Sequence, residues 1–314
     1  MGPAQEIFEQ LKNGGYFNHP DLVPEPPKIT EEEMNRCRET DDFRPILFEW
    51  YRFVGRLCIL LATMQRNSPA FRQVESQDYY VLIGLLNRCA RLMLANIALS
   101  HEGAFGETTA VIDRCIFESA VKIIWLVNTS DNERFRRLVA DGLKTELEFK
   151  ARIEAEITAR GGTALVIEKR MLTSIEKYIA SSGMTAGEIA DAKRLPDLAS
   201  MIEAIWQDRM FYLVGQKLGS HHVHGTWVSL RMHYLQEANN GELGPRDHDC
   251  PTHVNQFVLT SALVLSAVEA FVSYTINEAD EKGLLLRAIE AVRKEIEAIN
   301  VEIVGNDFEL GEDV

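Results

Sequence analysis

Phe257 to Ile276 is a run of twenty residues carrying a single charge, Glu269. A segment that apolar has two stable homes. One is the bilayer, which a helix of about 20 residues can span; the other is the middle of a protein, where neighbours cover every side. Thr260, Ser261, Ser266, Ser273 and Thr275 interrupt the run, and charged segments lie on either side of it. The reading is therefore a central helix enclosed by other helices, with no membrane involved. The rest of the chain must then supply the apolar faces that enclose it.

Such faces recur along the sequence. Pro45–Gln65 places Leu47, Trp50, Tyr51, Val54, Leu57, Cys58 and Leu61 at helical spacing, and 76–100 and 107–128 do the same. Thr30-Glu31-Glu32-Glu33, Ser130-Asp131-Asn132-Glu133 and Thr185-Ala186-Gly187-Glu188 read as capping boxes. Helices are expected from the second box to about Arg160, over Leu165–Ser181, over Asp197–Leu218 and over Asp280–Val301. Residues 239–251, with Asn239-Asn240-Gly241 and Gly244-Pro245, read as a loop. No stretch keeps period-two alternation, and no hairpin turn separates β-branched runs. The fold class is all-α: an antiparallel helical bundle forming one domain over 31–303, with a helical-hairpin insertion at about 131–182. An irregular arm (1–30, with Asn13-Gly14-Gly15, Pro20 and Pro24-Glu25-Pro26-Pro27) precedes it, and an acidic tail (304–314) follows.

Charge and cysteine usage narrow the function classes. With 47 acidic against 33 basic residues the net charge is −14, which removes general attraction for nucleic acid and leaves only a local patch. The five cysteines are scattered without a Cys-x-x-Cys pair, as in a reduced, cytoplasmic protein. The N-terminal residues show no basic region followed by an apolar one, so no signal peptide is expected. Phosphate-binding P-loop, dinucleotide, His-Glu-x-x-His and Gly-x-Ser-x-Gly patterns are missing.

Chemistry concentrates elsewhere. Six of the eight histidines fall between His221 and His253, three of them in Gly219-Ser220-His221-His222-Val223-His224-Gly225. Imidazole titrates near neutral pH and binds phosphates and metals. His221, His224, His233, His248, His253 and Cys250, with Asp247 and Asp249, could ligate a metal, but their spacing matches no compact zinc pattern. Ser220 and one histidine could equally cap a helix end. Arg114, Glu118 and Lys122 lie at i, i+4 and i+8, either as a solvated ion-pair ladder or as partly buried charges that need partners. Arg134, Arg136 and Arg137 run against the macrodipole of the helix they open, which calls for an anionic partner or an exposed face.

Arg114-x-x-x-Glu118, Trp125, Arg134-Phe135, Tyr212 and Ser220-x-x-x-His224-Gly225, in that order over residues 80 to 275, resemble a set of bacterial helical proteins catalogued as domain of unknown function 5677. That set is similar to the HEPN superfamily, many of whose members are dimeric, metal-independent ribonucleases of toxin and phage-defence systems. The HEPN signature is an Arg, a polar residue, a short variable stretch and a His. Here the His falls on His224 and the polar residue on Ser220, but the Arg position falls on Gly219. Arg246 and His253 have a permitted spacing, interrupted by Pro251.

The resemblance implies a cytoplasmic homodimer contacting RNA or nucleotide, with an operon-encoded protein partner in prospect and no cofactor. A polar pocket would unite His224 as general acid/base, Arg114 as the cation facing the phosphate and Glu118 as the orienter, with Ser220, His221, Arg209 and Tyr212 binding the ligand. Two other readings remain: a non-catalytic interaction module whose His, Arg and Glu form a structural network, and a metal-dependent enzyme built on the histidines.

Overall fold

The structure is a computed structural model that describes residues 2–14, 17, 20–67, 69–129, 133–213, 215, 218–238 and 241–305. The second expected capping box and the acidic tail beyond residue 305 lie outside the described residues. The chain forms two compact units, Met1–Val74 with Leu82–Asn128 and Leu198–Val314, and Glu75–Val81 with Thr129–Asp197. The described residues are all-α but for one short two-stranded ribbon.

In the first unit the apolar run becomes α13 (Val254–Thr275), packed against α3 (Arg44–Ala62), α5 (Gly106–Val127) and α14 (Ala279–Val304). Val264, Leu265, Ala267, Val268, Phe271 and Val272 lose all contact with solvent there. Each large apolar side chain buried in this way contributes about 1.5–3 kcal/mol, which is why a helix so poor in charge takes this position. By length and composition alone, α13 and α4 (Ser76–Glu102) could each cross a bilayer.

The N-terminal segment is not irregular throughout. Pro3 starts α1 (Pro3–Asn13), and Ala4, Phe8 and Leu11 form a stripe that is buried. This helix packs on α14, and Phe8 meets Phe53 edge-on at 5.0 Å. Gln5 Nε2 donates to the Pro27 carbonyl at 2.8 Å, tying down the proline-rich stretch. The prolines do keep 24–30 free of regular structure.

Thr30 caps α2 (Glu31–Thr40) as expected. Glu33 N–H donates to Thr30 Oγ1 at 3.2 Å, and Thr30 N–H donates to Glu33 Oε2 at 2.8 Å. Thr30→Ala should lower stability by about 1 kcal/mol, read as a shift in urea midpoint at constant slope.

The expected helix over Asp197–Leu218 is broken. It stops after α9 (Leu198–Trp206), where Gln207 takes a φ of 57°. Asp208 Oδ1 then accepts the Met210 N–H at 2.8 Å, favouring a turn over a continuing helix. A one-turn α10 (Met210–Tyr212) and α11 (Leu218–Val223) follow, and then α12 (Trp227–His233). The loop expected over 239–251 contains a strand: β2 (Leu243–Pro245) pairs antiparallel with β1 (Leu235–Glu237) just before the loop, with Gln236 opposite Gly244. Two three-residue strands are too short to show an alternating pattern in sequence.

The second unit takes in the expected hairpin and runs on to Asp197. Helix α6 (Glu133–Ala159) packs with α7 (Val166–Ser182) and α8 (Ala186–Asp191). Its core is Ala140, Leu143, Met184 and Ile189. Arg136 pairs with Glu188, and Arg137 donates to the Arg194 carbonyl at 2.8 Å, so partners for these two arginines come from within the unit.

Candidate functional site

Helix α5 is the platform of the site. Ala110, Asp113, Arg114 and Phe117 share one side of it at i, i+3, i+4 and i+7. They line a cavity of about 600 Å³ that is also bounded by residues of α9, α10, α11 and α13. Its walls are mostly apolar. Phe117 joins Trp206 and Phe211, whose rings stack at 5.0 Å with 21° between planes. Asp208, Arg114, His222, His253 and Arg293 bring charge and imidazole to the same space. Arg293 is held by Glu269 at 2.8 Å.

Asp113 is the most perturbed group in this cavity. Tyr51 Oη donates to its Oδ1 at 3.2 Å and Asn96 Nδ2 at 2.6 Å, and the Thr260 hydroxyl also bonds the carboxyl. Its Oδ2 is shielded from solvent and has no hydrogen-bond partner. Burial pushes the carboxyl up to about 7, against the pull of these three donors. Near neutral pH it can therefore act as donor or acceptor. An apolar cavity with one such group at its base orients a ligand through few, directional contacts.

Helix α11 packs on α5 because Gly219 lets it approach. A Cβ added there would lie 3.2 Å from Arg114 Cβ and 3.5 Å from its Cγ and Cδ. The stem of Arg114 thus runs along Gly219. One turn on, at i+3 from Gly219, His222 lines the cavity, with its Nδ1 shielded and without a hydrogen-bond partner. Burial, followed by the nearby His233, lowers its pKa, so it is neutral at physiological pH and able to accept a proton.

The sequence-predicted residues are only partly brought together. Arg114 lines the cavity. Glu118 does not: it is 41% exposed and pairs with Lys122 at 2.6 Å, the ladder arrangement. His224 lies beyond the end of α11, exposed, its N–H donating to the Ser220 carbonyl. Gly225, at φ 53°, turns the chain there. Of the Gly219–Gly225 run, His222 is therefore the imidazole that lines the cavity, which His253 also borders. His221 Nδ1 bonds Thr226 Oγ1 at 2.8 Å and braces the turn into α12. Ser220 is half-buried, Arg209 is exposed and Tyr212 half-buried, and none of the three lines the cavity. Asp113, Trp206 and Phe211 were missed. Asp113 alone had a visible signal, a carboxylate among the apolar positions of a core helix.

A second cavity, of about 540 Å³, shares Ala110, His222, His253 and Gln256 with the first. Its wall holds His233 and Cys250. His233 Nδ1, Asp249 Oδ1 and Cys250 Sγ converge: the imidazole hydrogen-bonds the carboxylate, and Sγ lies 3.4 Å from Nδ1. Potential ligand atoms of these three residues all lie within 4.8 Å of one another. Asp249 Oδ2 accepts the Glu107 N–H at 2.9 Å, and Oδ1 accepts the Cys250 N–H at 2.7 Å. Burial alone would raise the Asp249 carboxyl, but the Glu107 amide and His233 hold it below its ordinary value. Glu107 in turn accepts hydrogen bonds from Ser229 and Tyr234. Of the histidines weighed from sequence as metal ligands, His221, His224, His248 and His253 stand outside this group.

A model of a family of unknown function, DUF5677, matches residues 79–243, more than half of the chain. The chain belongs to this family. The DUF5677 match includes Asp113, Arg114, Trp206, His222 and His233 and ends before Asp249 and Cys250. No curated protein and no solved structure matches the chain.

Proposed function

We propose that this DUF5677 chain is a cytoplasmic, HEPN-like protein that takes a nucleotide, free or at the end of an RNA strand, into the cavity on α5. The observation that carries this reading is the pairing of an aromatic wall with Arg114 and a half-titrated carboxyl in one space. A base has a face for Trp206 and Phe211 and an edge for Asp113, and the phosphate has Arg114. The net charge of −14 disfavours a long backbone track, so the ligand is one nucleotide rather than a duplex.

The finer proposal is metal-independent ribonuclease activity. Its general acid/base is His222 in place of His224, and Arg114, lying along Gly219, supplies the cation that the signature position lacks. Neither Glu118 nor His224 has a role in it. A toxin-type or phage-defence setting, a homodimer and an operon-encoded partner go with this reading.

Calorimetry with nucleoside monophosphates, and cleavage of single-stranded RNA in the presence of chelator, test both levels. Trp206→Ala should weaken binding about tenfold or more, the loss expected when a base gives up an aromatic face. His222→Ala should abolish cleavage with the fold intact, and His224→Ala should leave it unchanged. A natural chain that binds no mononucleotide overturns the reading.

One observation favours the non-catalytic alternative. Met210, Phe211, Val223, Trp227, Val228, Leu230, Met232 and Tyr234 are all exposed within one short segment. Concentrated exposed apolar surface of this kind marks interaction sites. If His222→Ala lowers only the melting temperature and nothing binds the cavity, the segment is the functional feature and the polar groups beneath it are structural.

A further inference from the structure

We propose that His233, Asp249 and Cys250 bind a zinc ion in the wall of the second cavity, leaving its fourth coordination position to water or a small ligand. A thiolate, an imidazole and a carboxylate form a donor set that zinc accepts. Three protein ligands with one open position is its usual arrangement at sites that bind or activate a small molecule.

The distances suit the ion. Zinc bonds of about 2.0–2.3 Å in a tetrahedron place ligand atoms roughly 3.3–3.8 Å apart. Cys250 Sγ and His233 Nδ1 already stand 3.4 Å apart. The direct His233–Asp249 hydrogen bond must open to admit the metal. Zinc enters as Cys250 gives up its thiol proton and His233 frees Nδ1, keeping one proton on Nε2.

Two further observations point the same way. The ligands are held from behind, as metal ligands usually are. Asp249 is fixed by the Glu107 amide at 2.9 Å, and Glu107 is fixed by Ser229 and Tyr234. The Gly106 N–H donates to the Cys250 carbonyl at 2.8 Å, so both loop ligands are anchored on the first turn of α5. The second observation is a buried imidazole without a partner on the same cavity. His222 meets the His233 ring, 3% exposed, edge-on with centroids 5.0 Å apart, and its Nδ1 is shielded and has no hydrogen-bond partner.

This inference is independent of nucleotide binding, since none of the three ligands lines the α5 cavity. The full chain, purified without chelator and without an added histidine tag, should carry near-stoichiometric zinc by elemental analysis. Stripped protein titrated with cobalt should develop the bands of a tetrahedral site together with a thiolate charge-transfer band. Cys250→Ser should lose that band and weaken cobalt binding at least tenfold while melting as a cooperative unit. His224→Ala should keep both. The natural chain carries the decisive reading even if a variant folds poorly. Failure to hold zinc or take up cobalt, cobalt uptake without a thiolate band, or a band that persists in Cys250→Ser would each overturn the proposal.

Discussion

Replacing Asp113 by Asn should make the protein more stable, and the advantage should grow as pH rises. The folded-state pKa of Asp113 is about 7 against an ordinary value of 3.8. Between those two values the folded chain holds a proton that the unfolded chain has released. The contribution of Asp113 is therefore greatest below about pH 4, falls as pH rises towards 7 and is flat above it. At about 1.4 kcal/mol for each pH unit, this one group takes away about 4 kcal/mol across the whole interval and about 2 kcal/mol between pH 5.5 and 7. Asn is close in size, never ionises and still offers an oxygen to Tyr51 and Asn96. Urea unfolding at about pH 5.5 and about pH 8.5 should show the gap between the two proteins widening by about 2 kcal/mol. Asp78, raised to about 6 by burial and by Glu75, adds a slope of the same sign, but equally in both proteins. Parallel pH dependences would remove Asp113 as the perturbed group. The slope also has a functional reading. A destabilising carboxyl beneath an aromatic wall is the kind of strain a binding site carries, and ligand affinity should change across the same interval.

Most of the fold was legible because burial and capping are local facts. The near-chargeless run reads as a helix enclosed by others, and α3, α5 and α14 pack against it. Thr30 and Thr185 announced their helices through side chains that reach only three residues ahead. Two other features were present but outweighed. The Ala4, Phe8 and Leu11 stripe of α1 was hidden by the glycines and prolines after it. The stop at Gln207 has neither glycine nor proline to mark it.

The site was less legible for a geometric reason. Six clustered histidines in sequence become four situations in space: a turn brace at His221, a cavity wall at His222 and His233, a helix cap at His253, and exposed surface at His224 and His248. Which of three neighbouring imidazoles faces inward depends on the phase of a six-residue helix, and that phase is set by Gly219 resting on Arg114. Likewise, nothing near Asp249 and Cys250 in sequence indicates that they return to the first turn of α5, more than a hundred residues earlier.

Gly106→Ala tests that return directly and should be among the most damaging single-methyl additions to the chain. A Cβ at 106 would lie 2.7 Å from the Cys250 carbonyl oxygen, 2.8 Å from Cys250 Sγ and 3.2 Å from the Pro251 carbonyl. Two of these atoms are backbone, so no rotamer change relieves the clash. The loop must move, stretching the Gly106–Cys250 hydrogen bond and dragging the neighbouring Asp249 off the Glu107 amide. Overpacking of this sort costs about 1–3 kcal/mol. Helix propensity pulls the other way, because glycine is destabilising in a helix by about 0.5–1 kcal/mol relative to alanine. Gly84 in α4 isolates that opposing effect: it is exposed, and no atom lies within 4 Å of a Cβ placed there. Gly84→Ala should therefore raise the melting temperature and Gly106→Ala should lower it. With the zinc site in place, Gly106→Ala should also lose cobalt affinity, because Cys250 and Asp249 move together, whereas Gly84→Ala should bind cobalt as the natural chain does. A Gly106→Ala protein as stable as Gly84→Ala would mean that the 249–251 loop does not rest on α5, and the three ligands would then have nothing to hold them in one place.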